Sequence, residues 1–300
     1  MAPRYRGRFA PSPTGPLHFG SLIAALASWC DAKSHDGEWL LRIEDVDAVR
    51  SRANAADSIV STLEAHGFEW DGPVVHQSAR AALYQSALDK LAHRNVIFEC
   101  SCTRAELEAA PRGIGGERVY PGTCRTGVAK ARASRAWRVA VRDETIGFAD
   151  RAQGWHEQHL MRDVGDFVIR RADGLFAYQL AVVVDDALQG ITHVVRGADL
   201  LASTPRQIWL QRELGYPTPA YLHHAVALDA QGIKLSKQSG AAPLTGNPVS
   251  ALTRAWRFLD QRDPPSQPVA VREFWQWAHS AWDPRRLPPV AMLPHGIIGA

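Results

Sequence analysis

The first 95 residues alternate strand-like and helix-like segments, and this order constrains the fold more than any other feature of the chain. Residues 5–10 and 38–43 are short strand-like runs. Each precedes a segment with apolar residues at helical spacing, residues 21–33 and 51–66. A third helical pattern covers residues 79–93. Alternation of this kind is typical of a parallel sheet with helices packed on its faces. The sequence therefore predicts an α/β fold.

The alternating pattern breaks after residue 95 and resumes near residue 160, which indicates an insertion in the core. Further strands are predicted at residues 167–171, 176–184, 192–196 and 225–228, and further helices at 204–214, 248–260 and 269–282. The predicted parts are residues 1–95 (first half of the core), 96–160 (insertion), 161–222 (second half of the core), 223–245 (a loop region) and 246–300 (a short helical region).

Charge and hydropathy limit the partners and the location of the chain. Its formal net charge is +3, so we expect it to touch nucleic acid through a local patch and not along its whole surface. The longest apolar stretches, residues 22–27 and 180–184, are too short to cross a bilayer, and no secretory signal is visible. We expect a cytoplasmic protein with no membrane partner and, by default, a monomer.

The loop after the first strand is the first candidate for chemistry. Residues 8–21 read RFAPSPTGPLHFGS and lie between a predicted strand and a predicted helix. The start of a helix presents unpaired N–H groups that attract phosphate, and His18 could donate to phosphate oxygens. Gly20 lacks a side chain, so an adenine ring could approach the backbone there. An ordinary Gly/Pro turn with a surface histidine explains the loop about as well.

A second candidate lies in the predicted loop at residues 229–240. Residues 234–238 read KLSKQ, so Lys234 and Lys237 are three positions apart. Two ammonium groups in a mobile loop could close over a triphosphate and neutralise charge that develops at the α-phosphate during transfer. Taken alone, a solvated basic loop is the simpler interpretation.

Taken together, the two candidates resemble the HIGH and KMSKS signatures of the class I aminoacyl-tRNA synthetases, in the same order and at a similar separation. The phrases FAPSPTG (residues 9–15), LRIEDVD (41–47), VVDD (183–186) and GITHVVRGAD (190–199) resemble the glutamyl branch of that family. The departures, Phe19, Ser21, Leu235 and Gln238, are mild. The resemblance implies a Rossmann-type nucleotide-binding core that uses ATP with Mg²⁺.

The resemblance also implies the roles of individual residues. A glutamate substrate has two carboxylates and one ammonium group, and buried charges require partners. Arg8 and Arg196 are expected to hold the carboxylates and Glu44 the ammonium group. The expected glutamate site is Arg8, Ala10, Ser12, Glu44, Tyr178 and Arg196. The expected ATP site is His18, Gly20, Ser21, Lys234, Ser236 and Lys237, of which His18, Gly20, Lys234 and Lys237 are the catalytic candidates.

Three cysteines in the insertion, Cys100, Cys102 and Cys124, favour a structural zinc site over a disulfide in a reducing compartment. Three reduced thiols without a metal are the simpler alternative. The resemblance implies Tyr120 as the fourth ligand, and the nearby His93 is its rival.

The last expectation concerns the molecule that accepts the glutamate. About 60 residues follow Lys237, enough for only two or three short helices and not for a domain that reads an anticodon. This size and the Cys/Tyr insertion resemble the glutamyl-queuosine tRNA(Asp) synthetases. That family forms glutamyl adenylate without tRNA and transfers glutamate to queuosine in the anticodon loop of tRNA(Asp). The alternatives are a truncated glutamyl-tRNA synthetase that charges the 3′ end, and a non-catalytic zinc-containing RNA-binding module.

Overall fold

Strand β1 and the long helix after it form the centre of the fold. The computed structural model describes residues 4–47, 49–52, 54–113, 118–128, 135–229, 231–235 and 242–294. The first part of the chain contains strands β1 (Arg6–Phe9), β2 (Glu38–Ile43) and β3 (Val75–His76) and helices α1 (Phe19–Lys33), α2 (Ala55–Ala65) and α3 (Ala81–His93). Strand β2 pairs in parallel with both β1 and β3.

The rest of the chain adds nine strands and five helices to the described part of the molecule. The strands are β4 (Ile97–Cys100), β5 (Ala136–Val139), β6 (Thr145–Asp150), β7 (Gly154–His159), β8 (Val168–Arg170), β9 (His193–Gly197), β10 (Ala220–His224), β11 (Val226–Leu228) and β12 (Met292–Pro294). The helices are α4 (Leu160–Asp163), α5 (Tyr178–Leu188), α6 (Thr204–Leu214), α7 (Pro248–Phe258) and α8 (Val271–Ala281).

A second group of parallel strands lies beside the first. Strand β10 pairs in parallel with β9 and with β6. Arg6 of β1 accepts a hydrogen bond from the Thr192 amide and donates one to the Thr192 hydroxyl, both over 2.9 Å, immediately before β9. Strand β1 therefore lies beside β9. The ends of β1 and β9 carry Arg8 and Arg196, which places the two arginines close together.

Helix α1 is buried over most of its surface between the strands and the two C-terminal helices. Trp256 of α7 and Phe274 of α8 are fully buried in the same core as α1. The indole of Trp282 donates to Asp31 of α1 over 3.2 Å. The aromatic residues near the C-terminus therefore pack the tail against the core. No helix among the described residues is long and apolar enough to cross a membrane.

One predicted strand is wrong. Residues 176–184 were expected as a strand, but the structure has helix α5 at Tyr178–Leu188. Valines favour strands, and a short apolar run does not distinguish a strand from a buried helix by its periodicity. Residues 180–186 are all buried, so packing on several sides of the helix accounts for the apolar run. Tertiary context outweighed local propensity here.

Several helix starts differ from the prediction by two to four residues, among them those of α2 and α3. Helix α2 begins at Ala55 and not near residue 51, and helix α3 begins at Ala81 after a single 3₁₀ turn. Ser78 does not cap α3. Its backbone amide and hydroxyl instead donate to the Asp45 carboxylate, over 2.8 and 2.7 Å. This contact holds the segment that follows β2 against the start of the α3 region.

The sheet pairing bears on the predicted insertion at residues 96–160. Strands β4, β5 and β8 form a separate antiparallel sheet. Strands β6 and β7 instead belong to the sheet of β9 and β10. We propose that the insertion ends before residue 145 and that residues 145–159 belong to the second half of the core.

Candidate active site

A cavity of about 340 Å³ opens at the ends of β1 and β9. All six residues that the sequence predicts for glutamate line this cavity: Arg8, Ala10, Ser12, Glu44, Tyr178 and Arg196. They come from β1 and the loop after it, the end of β2, the start of α5, and β9. We call this space the amino-acid cavity.

Two buried arginines share one carboxylate behind the amino-acid cavity. Arg8 Nε lies 3.2 Å from Asp186 Oδ1, and Arg42 Nη2 lies 2.8 Å from the same oxygen. Arg42 Nη2 also lies 3.3 Å from Glu44 Oε1. Burial alone would raise the pKa of Asp186, but Arg8 and Arg42 outweigh it and hold that pKa below its ordinary value.

Glu44 differs from Asp186 because burial dominates its titration. Burial raises the pKa of Glu44 above its ordinary value, although Arg42 and Arg8 act in the opposite direction. A nearby ammonium group would favour the charged form of Glu44. Glu44 is therefore suited to a cationic ligand.

Asp185, next to Asp186 on α5, has its own set of partners. It accepts hydrogen bonds from Gln77 over 2.7 Å, from Arg80 over 2.6 Å and from Tyr84 over 2.8 Å. These contacts join the α3 region to α5. They fix the helix that carries Asp186.

Arg196 is held differently from Arg8. Its Nε donates to His223 Nε2 over 2.9 Å and its Nη2 donates to Thr204 Oγ1 over 2.8 Å. Its Nη1 lies 3.5 Å from the Tyr178 hydroxyl. None of the three partners is charged near neutral pH. Thr204 does not titrate, and burial lowers the pKa of His223 to about 4 and raises that of Tyr178.

A second cavity, of about 480 Å³, adjoins the first. The two cavities share Phe9, Ser12, Ala24 and Gly197 in their walls. The second is lined by four of the six residues predicted for ATP: His18, Gly20, Ser21 and Lys234. The other two, Ser236 and Lys237, lie outside the described residues. We call this space the nucleotide cavity.

Gly20, in the first turn of helix α1, lies against the segment around Leu235. A Cβ atom at Gly20 would lie 3.1 Å from the His18 ring and 3.4 Å from the Leu235 carbonyl oxygen. The Leu244 amide donates to the Leu17 carbonyl over 3.0 Å. Glycine at position 20 therefore allows the segments around residues 18 and 235 to meet in one wall.

Lys234 reaches across the nucleotide cavity to an acidic residue that the sequence reasoning did not single out. Lys234 Nζ lies 2.5 Å from Asp199 Oδ2, and the two side chains are 43% and 29% exposed. Asp199 lies in the 3₁₀ turn that follows β9 and lines the same cavity. The ammonium group therefore already lies at the cavity wall.

The three cysteines of the insertion meet Tyr120 in one small cluster. The Sγ atoms of Cys100, Cys102 and Cys124 all lie within 4.8 Å of one another. The Tyr120 hydroxyl lies 3.4 Å from Cys100 Sγ and 3.6 Å from Cys102 Sγ. His93 is exposed at the end of α3, with Nδ1 2.7 Å from the Asp89 carbonyl oxygen. Among the described residues, the cluster contains Tyr120 and not His93.

The family model of the tRNA synthetases class I (E and Q), catalytic domain, matches residues 4–251. The glutamyl-Q tRNA(Asp) synthetase of Dechloromonas aromatica is 56% identical over 282 residues, which are 93% of this chain and 94% of that protein. That of Aromatoleum aromaticum is 53% identical over 292 residues, which are 95% and 92% of the two chains. The chain belongs to the glutamyl-Q tRNA(Asp) synthetase family.

A solved structure supports the fold of this glutamyl-Q tRNA(Asp) synthetase family member. A glutamate tRNA ligase from Elizabethkingia meningosepticum, crystallised in complex with its amino acid, matches with a TM-score of 0.79 and 24% identity. The match covers 98% of this chain and 68% of that one. It confirms the predicted class I synthetase fold, an α/β core with a parallel sheet. Family membership confirms a ligase-type enzyme and disfavours a non-catalytic RNA-binding module.

Several side chains that support the predicted site residues were not predicted from the sequence. Arg42 and Asp186 lie inside segments that carried the family resemblance, yet neither was given a role. A charged residue in an apolar strand or in a buried helix run is a usable signal, because an unpaired buried charge is costly. His223 and Asp150 gave no such signal, since their link to Arg196 depends on strand order.

Proposed function

We propose that this chain activates L-glutamate with ATP and transfers the glutamyl group to queuosine in the anticodon loop of tRNA(Asp). The observation that carries the proposal is the pair of adjoining cavities. One collects buried arginines and a glutamate, and the other lies between the HIGH-like turn and the loop that carries Lys234. The names of the curated relatives support the queuosine acceptor.

The charges around the amino-acid cavity suit free glutamate. The charged residues that line the cavity are two arginines, Arg8 and Arg196, and one carboxylate, Glu44, which together carry a net charge of +1. Free glutamate carries two carboxylates and one ammonium group, a net charge of −1. In our proposal Arg8 and Arg196 bind the carboxylates, Glu44 binds the ammonium group, and the Tyr178 hydroxyl donates a further hydrogen bond.

Adenylate formation would take place where the two cavities meet, near Ser12 and Gly197. A glutamate carboxylate oxygen attacks the α-phosphorus of ATP, a new P–O bond forms, and the bond to pyrophosphate breaks. His18, Gly20 and Ser21 would bind the nucleotide at the start of α1. Lys234, Ser236 and Lys237 would act on the phosphates, where positive charge stabilises the transition state. Mg²⁺ would enter with ATP and share this task.

Transfer would follow without a change of site. A hydroxyl on the queuosine cyclopentene ring attacks the carbonyl carbon of glutamyl adenylate, and AMP leaves as the new ester forms. No residue in the described ranges has to supply a covalent nucleophile for this step. We further propose that the enzyme acts as a monomer in the cytoplasm.

The cysteine cluster has donors and spacing that fit a structural zinc ion. A tetrahedral zinc site with Zn–S bonds of about 2.3 Å and a Zn–O bond of about 2.0 Å predicts about 3.8 Å between sulfurs and about 3.5 Å from sulfur to oxygen. Cys102 and Cys124 Sγ atoms lie 3.7 Å apart, and Tyr120 Oη lies 3.4 and 3.6 Å from two sulfurs. We propose that Cys100, Cys102, Tyr120 and Cys124 bind one Zn²⁺.

Metal analysis tests this site. We expect about one zinc per chain in purified protein under reducing conditions, and its loss in Cys124→Ser with a lower Tm. Cys30→Ala is the control, because Cys30 is buried in α1, away from the cluster. Tyr120→Phe should weaken zinc retention against a chelator while His93→Gln should not. Wild-type protein without zinc would contradict the proposal.

The activity is tested by offering labelled glutamate, ATP and tRNA(Asp) with or without queuosine. We expect glutamate-dependent ATP–pyrophosphate exchange without RNA, and label transfer only to tRNA that carries queuosine. Removing the 3′-terminal nucleotide separates the rival acceptors, because it blocks 3′ charging and leaves the anticodon loop intact. Transfer that requires the 3′ end would favour a glutamyl-tRNA synthetase, and absence of exchange would contradict glutamate activation.

A further inference from the structure

A chain of hydrogen bonds crosses three neighbouring strands and ends at Arg196. In the pairing of β9 with β10, Arg196 lies opposite His223. In the pairing of β10 with β6, Asp150 lies opposite Tyr221, on the other side of the same strand. Arg196 Nε lies 2.9 Å from His223 Nε2, and His223 Nδ1 lies 2.6 Å from Asp150 Oδ2. All three side chains are buried.

These contacts fix the tautomer of His223. A guanidinium group can only donate hydrogen bonds, so His223 Nε2 must accept from Arg196 and carry no proton. An ionised carboxylate can only accept, so His223 Nδ1 must hold its proton and donate it to Asp150. Burial lowers the pKa of His223 to about 4, against the effect of Asp150, so the ring stays neutral near pH 7. Asp150 also accepts hydrogen bonds from the backbone amides of Ala152 and Gln153, and these orient its carboxylate.

The two short hydrogen bonds of Arg196 lie along one edge, and Nη1 makes only a long contact of 3.5 Å with the Tyr178 hydroxyl. His223 and Thr204 accept from Nε and Nη2, which share one edge of the guanidinium plane. Arg196 forms no ion pair with a carboxylate of the described residues, whereas Arg8 lies against Asp186. A buried cation with neutral partners keeps its electrostatic attraction for an incoming anion. The edge formed by Nη1 and Nη2 is the one that can receive a carboxylate in the bidentate manner.

We propose that Asp150 and His223 are positioning residues that orient Arg196 for a substrate carboxylate without neutralising it. The inference rests on the proposed function, because it assigns Arg196 to the glutamate substrate. A carboxylate directly against Arg196 would compete with glutamate. Asp150 acts through His223: it fixes the tautomer of the ring and partly balances the buried charge of Arg196. The glutamate site predicted from the sequence does not include Asp150 or His223.

The sharpest variant is Asp150→Asn. Its amide nitrogen would donate to His223 Nδ1, and the proton of the ring would move to Nε2, where it faces the donors of Arg196. We expect the KM for glutamate in ATP–pyrophosphate exchange to rise at least about tenfold. The KM for ATP should change less than about twofold, because the nucleotide cavity does not include Asp150.

Two substitutions of His223 form a matched pair. Gln can place an acceptor where Nε2 lies, so His223→Gln should keep the KM for glutamate within about threefold of wild type. Asn places its amide near Nδ1 and leaves Arg196 without that acceptor, so His223→Asn should resemble Asp150→Asn. A purely structural role would predict similar losses for both variants. Thermal unfolding of every variant reports whether it is folded.

The tautomer has a spectroscopic signature that does not depend on activity. In protein with ¹⁵N-labelled histidine, the His223 signals, assigned by their loss in His223→Gln, should show protonated Nδ1 in wild type and protonated Nε2 in Asp150→Asn. An unchanged KM for glutamate in Asp150→Asn, or an equal rise in the KM for ATP, would overturn the inference. Failure of the wild-type exchange with glutamate would instead contradict the proposed function.

Discussion

The two adjoining cavities bind through different physical means. The amino-acid cavity is built from charges that are already buried and held by hydrogen bonds: Arg8 is 4% exposed, Arg42 is fully buried, and Arg196 is 5% exposed. The nucleotide cavity relies on a glycine turn and on a lysine whose side chain is 43% exposed. One cavity is therefore organised before its ligand arrives. The other has a more exposed cation, Lys234, which forms an ion pair with Asp199 at the cavity wall.

This difference corresponds to what each ligand requires. Glutamate must be distinguished from other amino acids, and discrimination is strongest when a missing contact leaves a buried polar group unpaired. The nucleotide must instead be stabilised as charge develops at its α-phosphate, and a cation on a loop can follow that charge. Substitutions in the two cavities should therefore affect different kinetic constants.

The largest expected effect belongs to Lys237, which lies outside the described residues and which we propose acts on the phosphates of ATP. Lys237→Ala should lower kcat for ATP–pyrophosphate exchange at least about 100-fold and leave glutamate binding nearly unchanged. Lys90→Ala, at an exposed position of α3, is the matched control for loss of a lysine. Exchange kinetics and calorimetric titration with glutamate measure the two quantities. A smaller loss in kcat would remove Lys237 from the transition state.

The second effect belongs to the amino-acid cavity. Arg196→Ala should raise the KM for glutamate at least about 30-fold, because loss of a buried charged partner costs about 2 kcal/mol or more. The KM for ATP should stay close to that of wild type, since Arg196 does not line the nucleotide cavity. Arg272→Ala, at an exposed position of α8, controls for the loss of an arginine. Equal losses for both substrates would abolish the distinction between the cavities.

The sequence predicts the parts of the two cavities that are local in the chain. His18, Gly20 and Lys234 lie in short motifs, and the structure brings them into one wall because Gly20 lets the Leu235 carbonyl approach. Strand β2 and the ends of α1 and α6 follow the predicted patterns closely. Local chemistry was sufficient in these places because turns and helix ends depend on neighbouring residues.

The sequence does not predict the parts that depend on strand order and packing. Helix α5 was predicted as a strand because its valines favour strands when considered alone. The link from Asp150 through His223 to Arg196 joins residues far apart in the chain, and only the order β6, β10, β9 makes them neighbours. Buried charge networks of this kind carry no periodic signal.

The smallest expected effect concerns the pH dependence of stability that arises from His223, the residue that supports Arg196 beside the amino-acid cavity. Burial lowers the pKa of His223 to about 4 from an ordinary value of 6.5. Below pH 6.5 the unfolded chain therefore binds a proton that the folded chain does not. The free energy of unfolding should fall from pH 6.5 to pH 4 and then cease to change through this group. Buried His224 and half-buried His193, whose pKa values burial also lowers, act in the same direction.

Asp150 loses its contribution at lower pH than His223. Burial, the largest single influence, opposes ionisation of this carboxyl, but the interactions with His223 and the hydrogen bonds from the Gln153 and Ala152 amides together outweigh it, and the pKa is lowered to about 2 from 3.8. Its contribution to stability is complete above pH 3.8 and disappears as the pH falls towards 2.

His223→Gln should flatten the decline in stability between pH 6.5 and pH 4, by a few degrees in Tm. Exposed His93→Gln is the control and should keep the wild-type slope. Equal slopes in both variants would show that His223 is not held neutral. Arg196 would then lack the uncharged acceptor that distinguishes its surroundings from those of Arg8.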